Sequence, residues 1–415
     1  KVSNRRIYSK LIDLNKFYEI DPIKRNEIIS KKISFTLKNA YENIPYYYDL
    51  AEKNNLKEIF LNFKMHNLKD IPLINKKILK AKNKFFLRPD TQKNINFCNT
   101  NGSTGGRVSV AYDQEGMDWG SAVMIFCRGL YGHKLFNKEV HLSTDTRSKN
   151  KRDQIKQFAK ELVNNRSNIF IKDFNNKSKF NYLNQLSSQK TNLLHGMPSQ
   201  IDGLINDVSK CFHIPLVETS GEILRLNQRR NIENFFSTKV IDRYGLAESG
   251  IVAYQMPNQV NLSVIDFHTF VEVDDNGEIL VTNLNNKFMP LIRYRTGDFC
   301  ESEEIINGFY QIKIKEGREH VVANYKGNKL NTGSIEDIIF TFEEVRDLQF
   351  QLNQNKEIVD ILIDIEKKAN LEEIKNKINL FTNTDLGKLV RSENSLDFKL
   401  SGKQYKKLRV VSLDK

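Results

Sequence analysis

The chain has 415 residues, 39% of them hydrophobic and 28% charged, enough for two or three folded domains with a large buried core. Its net charge of +13 comes from Lys and Arg spread throughout, as in NLKEIFLNFK, with no basic run interleaved with aromatics, so a dedicated nucleic-acid surface is not expected. Cys98, Cys127, Cys211 and Cys300 form no CxxC pair, no apolar run nears the ~20 residues of a spanning helix, and the basic start KVSNRRIYSK has no apolar stretch, which together point to a cytoplasmic protein with reduced thiols.

Residues 1–90 read as a helical lead-in. Ile28, Ile29, Ile33, Leu37 and Ala40 recur at helical spacing, Pro45 breaks the run, and Pro72 in DIPLINKKIL is expected to open another short helix. INFCNT and VSVAYD read as strands on either side of a Gly-rich loop, and GMDWGSAVMIFCRGLYG as a buried helix. TNLLHG, IPLVETS and TKVIDRYG read as strands; Ile201, Leu204, Ile205 and Val208 share a helical face, and ILRLNQRRNIENFF is helical. Strand and helix in alternation argue for a layered α/β domain with parallel pairing. TFVEVDDNGEILVTNL carries Asn-Gly between two apolar runs, a hairpin signal. Beyond Gly317 the style changes. Ser334 is placed to cap IEDIIFTF, DLQFQLN and EIVDILIDI read as strands about a turn at 354–356, LEEIKNKINLF as an amphipathic helix and SLDFKL as a last strand. The expected organisation is a large α/β domain over 1–316 and a small α+β domain over 317–415.

Five stretches carry chemistry. The loop from Thr100 to Arg107 places Gly102, Gly105 and Gly106 among Ser103 and Thr104. Its freed backbone N–H groups suit a phosphate cradle, with an ordinary hairpin turn as the alternative; it is not the Walker form, because no Lys-Ser/Thr follows. DRYGLAESG ends an apparent strand, where Tyr244 suits stacking on a base and Glu248 suits a hard cation; a surface turn is the alternative. In MPLIRYRTGDFC, Asp298 at a turn suits a bidentate contact to a ribose, or an ion-paired turn. Arg318 lies where the composition shifts, and Lys403 follows a Ser-Gly turn that presents its ammonium from a loop.

In this order the five stretches resemble the adenylate-forming superfamily of acyl-CoA synthetases, adenylation domains and luciferases. IPYYYDL, DIPLINKK, LLHGMPSQI, ETSGE and MPLIRYRTGD are similar to the phenylacetate-CoA ligase-like and CapK-like branch, the latter from surface-polysaccharide clusters. The resemblance implies a large N-terminal domain with a small mobile C-terminal lid. It implies that Thr100, Gly102, Ser103, Thr104 and Gly105 hold the ATP phosphates, that Ser220, Gly221 and Glu222 line the adenine pocket, and that Tyr244, followed by Gly245, packs on adenine. Glu248 would bind Mg²⁺, Asp298 the ribose, Arg318 the nucleotide near the hinge, and Lys403 the carboxylate and α-phosphate. Two departures stand out: Ala247 replaces the Thr usual before the metal-binding Glu, and His320 the Asp usual at the hinge. The CxCG element of some relatives is missing, with Cys300 alone in CESEEIINGFYQIKIKEGR, so zinc is not expected.

The acid substrate is expected near the Trp119 helix and the HGMPS and YGLAE loops. Trp119, Phe126 and Tyr131 suit a pocket lining or a core stripe, and His195 and Gly196 a carboxylate contact or a structural role. Three functions follow: a ligase joining an acid to an amine, such as an amino sugar or amino acid in polysaccharide assembly; the same chemistry with CoA; or a nucleotide-binding scaffold without catalysis. Neither the acid nor the oligomeric state is read from the sequence.

Overall fold

The computed structural model describes residues 6–89, 95–99, 108–143, 151–171, 176–206, 208, 211–315, 322–325, 328–331, 335, 339, 342, 344–353, 358–365, 370–382, 388–392, 400–401, 406–407 and 410–412. The chain divides into two compact units, residues 1–134 with 243–315, and residues 135–242 with 316–415.

The first unit opens with the expected helices. Asp21 caps Pro22–Asn43 by accepting the Ile23 N–H, and Ile29, Ile33, Leu37 and Ala40 form its buried stripe. Pro45 ends one helix by starting the next, Pro45–Lys53, at the position where a missing N–H costs nothing. Pro72 does not open a helix. The helix begins at Lys76, because the Asn75 side chain accepts the Ile78 N–H at 2.9 Å; Pro72 lies in the preceding segment, where Ile74 bridges to Tyr294. Asp113 caps the helix Gln114–Gly129, which buries Trp119, Ala122, Val123, Phe126 and Cys127.

Strands Asn96–Asn99 and Ser109–Tyr112 pair antiparallel, with Asn99 opposite Ser109. The remaining strands of this unit are antiparallel neighbours in the order Thr269–Val273, Glu278–Asn283, Tyr294–Ile306, Phe309–Ile314, Leu262–Val264 and Gly250–Gln255. The Asn-Gly hairpin is present, with Gly277 at φ +82° in its turn.

Tyr47 ties the lead-in helices to this sheet. Fully buried, its hydroxyl donates to the Pro290 carbonyl at 2.9 Å and accepts the Ile292 N–H at 3.0 Å. Tyr47→Phe strips both backbone groups of that partner. It is expected to lower stability by about 1–3 kcal/mol, read as a lower urea midpoint at unchanged slope.

In the second unit, strands Arg166–Phe170, Glu139–Ser143, Leu193–Gly196 and Leu216–Ser220 are parallel in that order. Helices Lys151–Val163, Asn176–Ser188, Pro198–Ile205 and Leu226–Phe236 alternate with them, over a core that includes Val140, Leu142, Leu194, Val217, Ile232 and Phe236. The α/β class with parallel pairing is thus present. Val208 falls beyond its helix: Asn206 turns to extended backbone (ψ 135°), and Val208 packs on the same core from the following segment.

Residues 335–389 supply a separate core of Ile335, Ile339, Leu348, Phe350, Ile361, Ile363, Ile374 and Ile378. Its sheet runs Leu389–Ser392, Ile358–Ile365, Val345–Asn353, Val410–Ser412, antiparallel in the middle and parallel at both edges, with the helix Leu371–Thr382. The Asn227 side chain donates to the Val345 carbonyl. The Ser334 cap, the turn at 354–356 and residues 395–399 of SLDFKL lie outside the described residues. Among the described residues no helix is long and apolar enough to cross a membrane.

Candidate active site

Two of the expected nucleotide-site residues meet in the first unit. Tyr244 and Asp298, 54 positions apart, are joined by a hydrogen bond in which the phenol donates to the carboxylate at 2.8 Å. The turn presenting Asp298 is built from its neighbours. Thr296 Oγ1 accepts the Asp298 N–H at 3.0 Å and donates to the Ile279 carbonyl at 2.8 Å, while Gly297 adopts φ +75°. Glu278, 3% exposed, accepts the Gly297 N–H at 2.9 Å and pairs with the Arg295 guanidinium. The turn is thus held from beneath by an acid that motif reading did not single out. Gly245, in the strand Val240–Leu246, sits at a register shift against Gly250–Gln255 where an added Cβ would meet the Gly250 carbonyl oxygen at 3.0 Å, so glycine suits the close approach.

Glu248 is 8% exposed. Its Oε1 accepts the Tyr294 hydroxyl at 3.0 Å, and its backbone carbonyl accepts the Tyr112 hydroxyl at 2.7 Å. A Mg²⁺ ion takes one or two carboxylates together with phosphate oxygens and water. A single carboxylate already oriented by Tyr294 fits that donor set. The neighbouring Ser249 hydroxyl is fully buried and has no hydrogen-bond partner among the described residues.

Behind Glu248 runs a buried chain. His268 Nε2 donates to the Ser249 carbonyl at 3.1 Å, His268 Nδ1 accepts from the Asn285 amide at 3.1 Å, and Asn285 Oδ1 accepts from the Lys32 ammonium at 2.9 Å. Burial, with the Lys32 charge second, pushes the His268 imidazole down to about 4. Burial, then the Lys287 charge, pushes Lys32 down to about 8. Burial raises nearby Asp266 to about 6, although the Tyr18 hydroxyl donates to it at 2.9 Å.

These two groups oppose each other in acid. His268 lies below its usual 6.5 in the fold, so its contribution is full above about 6.5 and is lost as pH falls towards 4. Asp266 lies above its usual 3.8, so its contribution is present below that value and is lost as pH rises through 6. Each is on the order of 3 kcal/mol. His268→Asn removes one side of the balance: its urea midpoint is expected to fall from pH 4 to 6 more steeply than that of the unaltered protein.

Trp119 is 8% exposed, edge-on to Phe267 at 5.5 Å, with the ammoniums of Lys10 and Lys32 at 5.0 and 5.2 Å from its ring. Phe126 stacks on Tyr18 at 5.1 Å, and Tyr131 donates to the Gln255 carbonyl at 2.8 Å. Trp119 and Phe126 are buried and Tyr131 is half-buried.

In the second unit, His195, Gly196, Ser220, Gly221 and Glu222 cluster at the carboxyl ends of two adjacent parallel strands, where α/β sheets bind ligands. Gly221 adopts φ +87°, and Glu222 accepts the Ser199 N–H at 3.3 Å. An added Cβ on Gly196 would meet Leu142 Cβ at 3.1 Å, so its smallness serves helix-and-strand packing. His195 Nδ1 lies 3.1 Å from Oε1 of Glu218, which is fully buried. Glu218 and Tyr294 lie inside stretches that also hold other candidate residues; in the sequence, the signal for Glu218 is an acid within the strand-like run IPLVETS. Thr100, Gly102, Ser103, Thr104, Gly105, Arg318, His320 and Lys403 lie outside the described residues.

No protein-family model matches the chain. An indoleacetate–lysine synthetase of Pseudomonas savastanoi is 30% identical over 198 residues, 45% of this chain and 49% of that protein. A fumarate–(S)-2,3-diaminopropanoate ligase of Enterobacter agglomerans is 22% identical over 176 residues, 38% of this chain and 44% of that protein. The chain thus spans about half the length of the curated relatives it matches. Among solved structures, 2-hydroxyisobutyryl-CoA ligase in the postadenylation state in complex with R3-HIB-AMP superposes with a TM-score of 0.72 over 94% of this chain and 90% of that one, at 12% identity. An ATP-bound RpMatB-BxBclM chimera superposes with a TM-score of 0.52 over 75% of this chain and 66% of that one, at 14% identity. At such identities the likeness speaks for the fold.

Proposed function

We propose that the chain is an adenylate-forming ligase, which activates a carboxylic acid with ATP as an acyl-AMP and passes the acyl group to an amine, a reading supported by the shared fold and by the two curated relatives. The observation that carries the acceptor is that both curated relatives are named for joining a carboxylic acid to an amino acid. A CoA thiol is the second reading, supported by the fold shared with a CoA ligase. An amino sugar in surface-polysaccharide assembly is the narrower form of the amine reading.

The residues divide the work. Asp298 accepts the ribose hydroxyls, its carboxylate aimed by Tyr244 and its turn held by Glu278 and Thr296. The Tyr244 ring packs on adenine. Thr100, Gly102, Ser103, Thr104 and Gly105 cradle phosphates, and Arg318 supports the nucleotide. Glu248 holds Mg²⁺, which supplies neutralising charge for the pyrophosphate leaving group. Lys403 bridges carboxylate and α-phosphate, and residues 317–415 act as a mobile lid that carries it in for adenylation and away for transfer.

The test is carboxylate-dependent ATP–pyrophosphate exchange over aromatic, hydroxy, amino and sugar acids. Exchange with at least one acid is expected. No exchange with any acid, together with no ATP binding, would overturn the enzyme reading and leave a scaffold. Lysine, 2,3-diaminopropanoate, an amino sugar and CoA, added in turn, then separate amide from thioester.

A further inference from the structure

The geometry points to His195 as the base that deprotonates an ammonium acceptor, with Glu218 as the residue that positions and charges it. The assignment rests on the amide-forming reading above. His141, His195 and Glu218 stand in register on three adjacent parallel strands, so their side chains share one sheet face.

The hydrogen bonds decide the tautomer. His195 Nδ1 faces two acceptors, Glu218 Oε1 at 3.1 Å and the Glu218 carbonyl at 3.2 Å, so Nδ1 carries the proton in the neutral ring. Nε2 then holds the lone pair, and the Ser220 hydroxyl reaches it at a long 3.4 Å. The His195 side chain is 14% exposed and the Glu218 side chain fully buried, so the carboxylate lies in low dielectric beside a ring that is not fully enclosed. A buried carboxylate there stabilises the imidazolium that forms when Nε2 takes a proton. The other charged groups around the ring come from the neighbouring strands. His141 stands edge-on at 4.9 Å, with its Nε2 3.2 Å from Glu139, which also accepts from Arg166.

Adenylation has no need of such a base, because an attacking carboxylate is already unprotonated. An alkylamine does need one: with a pKa of about 10.4, only about one molecule in 2,500 is a free nucleophile at pH 7. Acyl-AMP and the ammonium give amide, AMP and two protons. His195 Nε2 takes the first proton, and the amine nitrogen bonds to the acyl carbon. The acyl C–O bond breaks, its electron pair leaving on AMP, and the second proton passes from nitrogen to water.

Two acceptors separate this role from a structural one. Hydroxylamine is already a neutral nucleophile near pH 7, and lysine is not. With an acid that supports exchange, His195→Asn is expected to lower the ratio of lysine amide to hydroxamate by ~100-fold or more. Glu218→Gln, which keeps an acceptor for Nδ1–H but not the charge, is expected to lower the ratio by about tenfold. In His195→Asn the amide rate should climb steadily with pH as free amine accumulates, where the unaltered enzyme levels off. Equal losses with both acceptors, or an unchanged ratio, would overturn the assignment. Absence of hydroxamate in the unaltered enzyme with every acid would instead overturn the ligase reading on which it rests.

Discussion

Lys403→Ala is expected to cut carboxylate-dependent ATP–pyrophosphate exchange by ~10²–10³-fold or more while leaving ATP affinity within a few-fold. The proposed reaction brings a carboxylate onto an α-phosphate, anion against anion, and negative charge would accumulate on the phosphoryl oxygens in the transition state. A positioned ammonium offsets that charge where it develops, which is why its removal weighs on the rate rather than on ground-state binding. The measurement is exchange beside equilibrium ATP binding on the same variant. The transfer half-reaction, started from synthetic acyl-AMP and amine, is expected to survive, because the proposed role of Lys403 is confined to adenylation. A variant with full exchange would remove Lys403 from the chemistry, and loss of both half-reactions alike would mark a folding defect.

Asp298→Ala is expected to raise the KM for ATP by ~10–100-fold, with a smaller effect on kcat, through loss of two charge-assisted hydrogen bonds to the ribose. The observed anchoring sharpens the expectation. Tyr244 donates to the Asp298 carboxylate at 2.8 Å, Glu278 holds the Gly297 N–H at 2.9 Å, and Thr296 holds the Asp298 N–H at 3.0 Å, so in the proposed role the carboxylate would meet a ribose without first being ordered. The decisive control is the nucleotide. The unaltered enzyme should discriminate ATP from its 2′- and 3′-deoxy forms, and Asp298→Ala should discriminate far less. Tyr244→Phe, which keeps the ring but loses the aiming hydroxyl, should fall between them. A variant that still rejects the deoxynucleotides as strongly would show that another residue reads the ribose.

The alternation of strand and helix between 92 and 300 was legible because apolar runs such as NLLHG and IPLVETS are bounded by turn residues. Strands Glu139–Ser143 and Arg166–Phe170 escaped notice. They are five residues each and rich in polar side chains, and their burial patterns keep only every second position or one position from solvent. The helix start at Lys76 was misread for a related reason. Pro72 is a helix-opening residue in general, but the Asn75 side chain supplied the nearer cap. Trp119 illustrates a third limit, since helical spacing marks a buried face without saying what buries it; here Phe267 and two lysines do.

By itself the sequence determined the helical stripes of the lead-in, the Asn-Gly hairpin, the α/β class and the order of the motif residues Tyr244, Glu248 and Asp298, because each is a pattern of neighbouring residues. Only the tertiary structure decided that Tyr244 aims Asp298 across 54 positions, that Tyr294 orients Glu248 across 46, and that His195 stands beside Glu218. Those contacts depend on which strands become neighbours and in what register. A one-residue slip would turn every such side chain to the opposite face, and local propensity does not set register across a sheet.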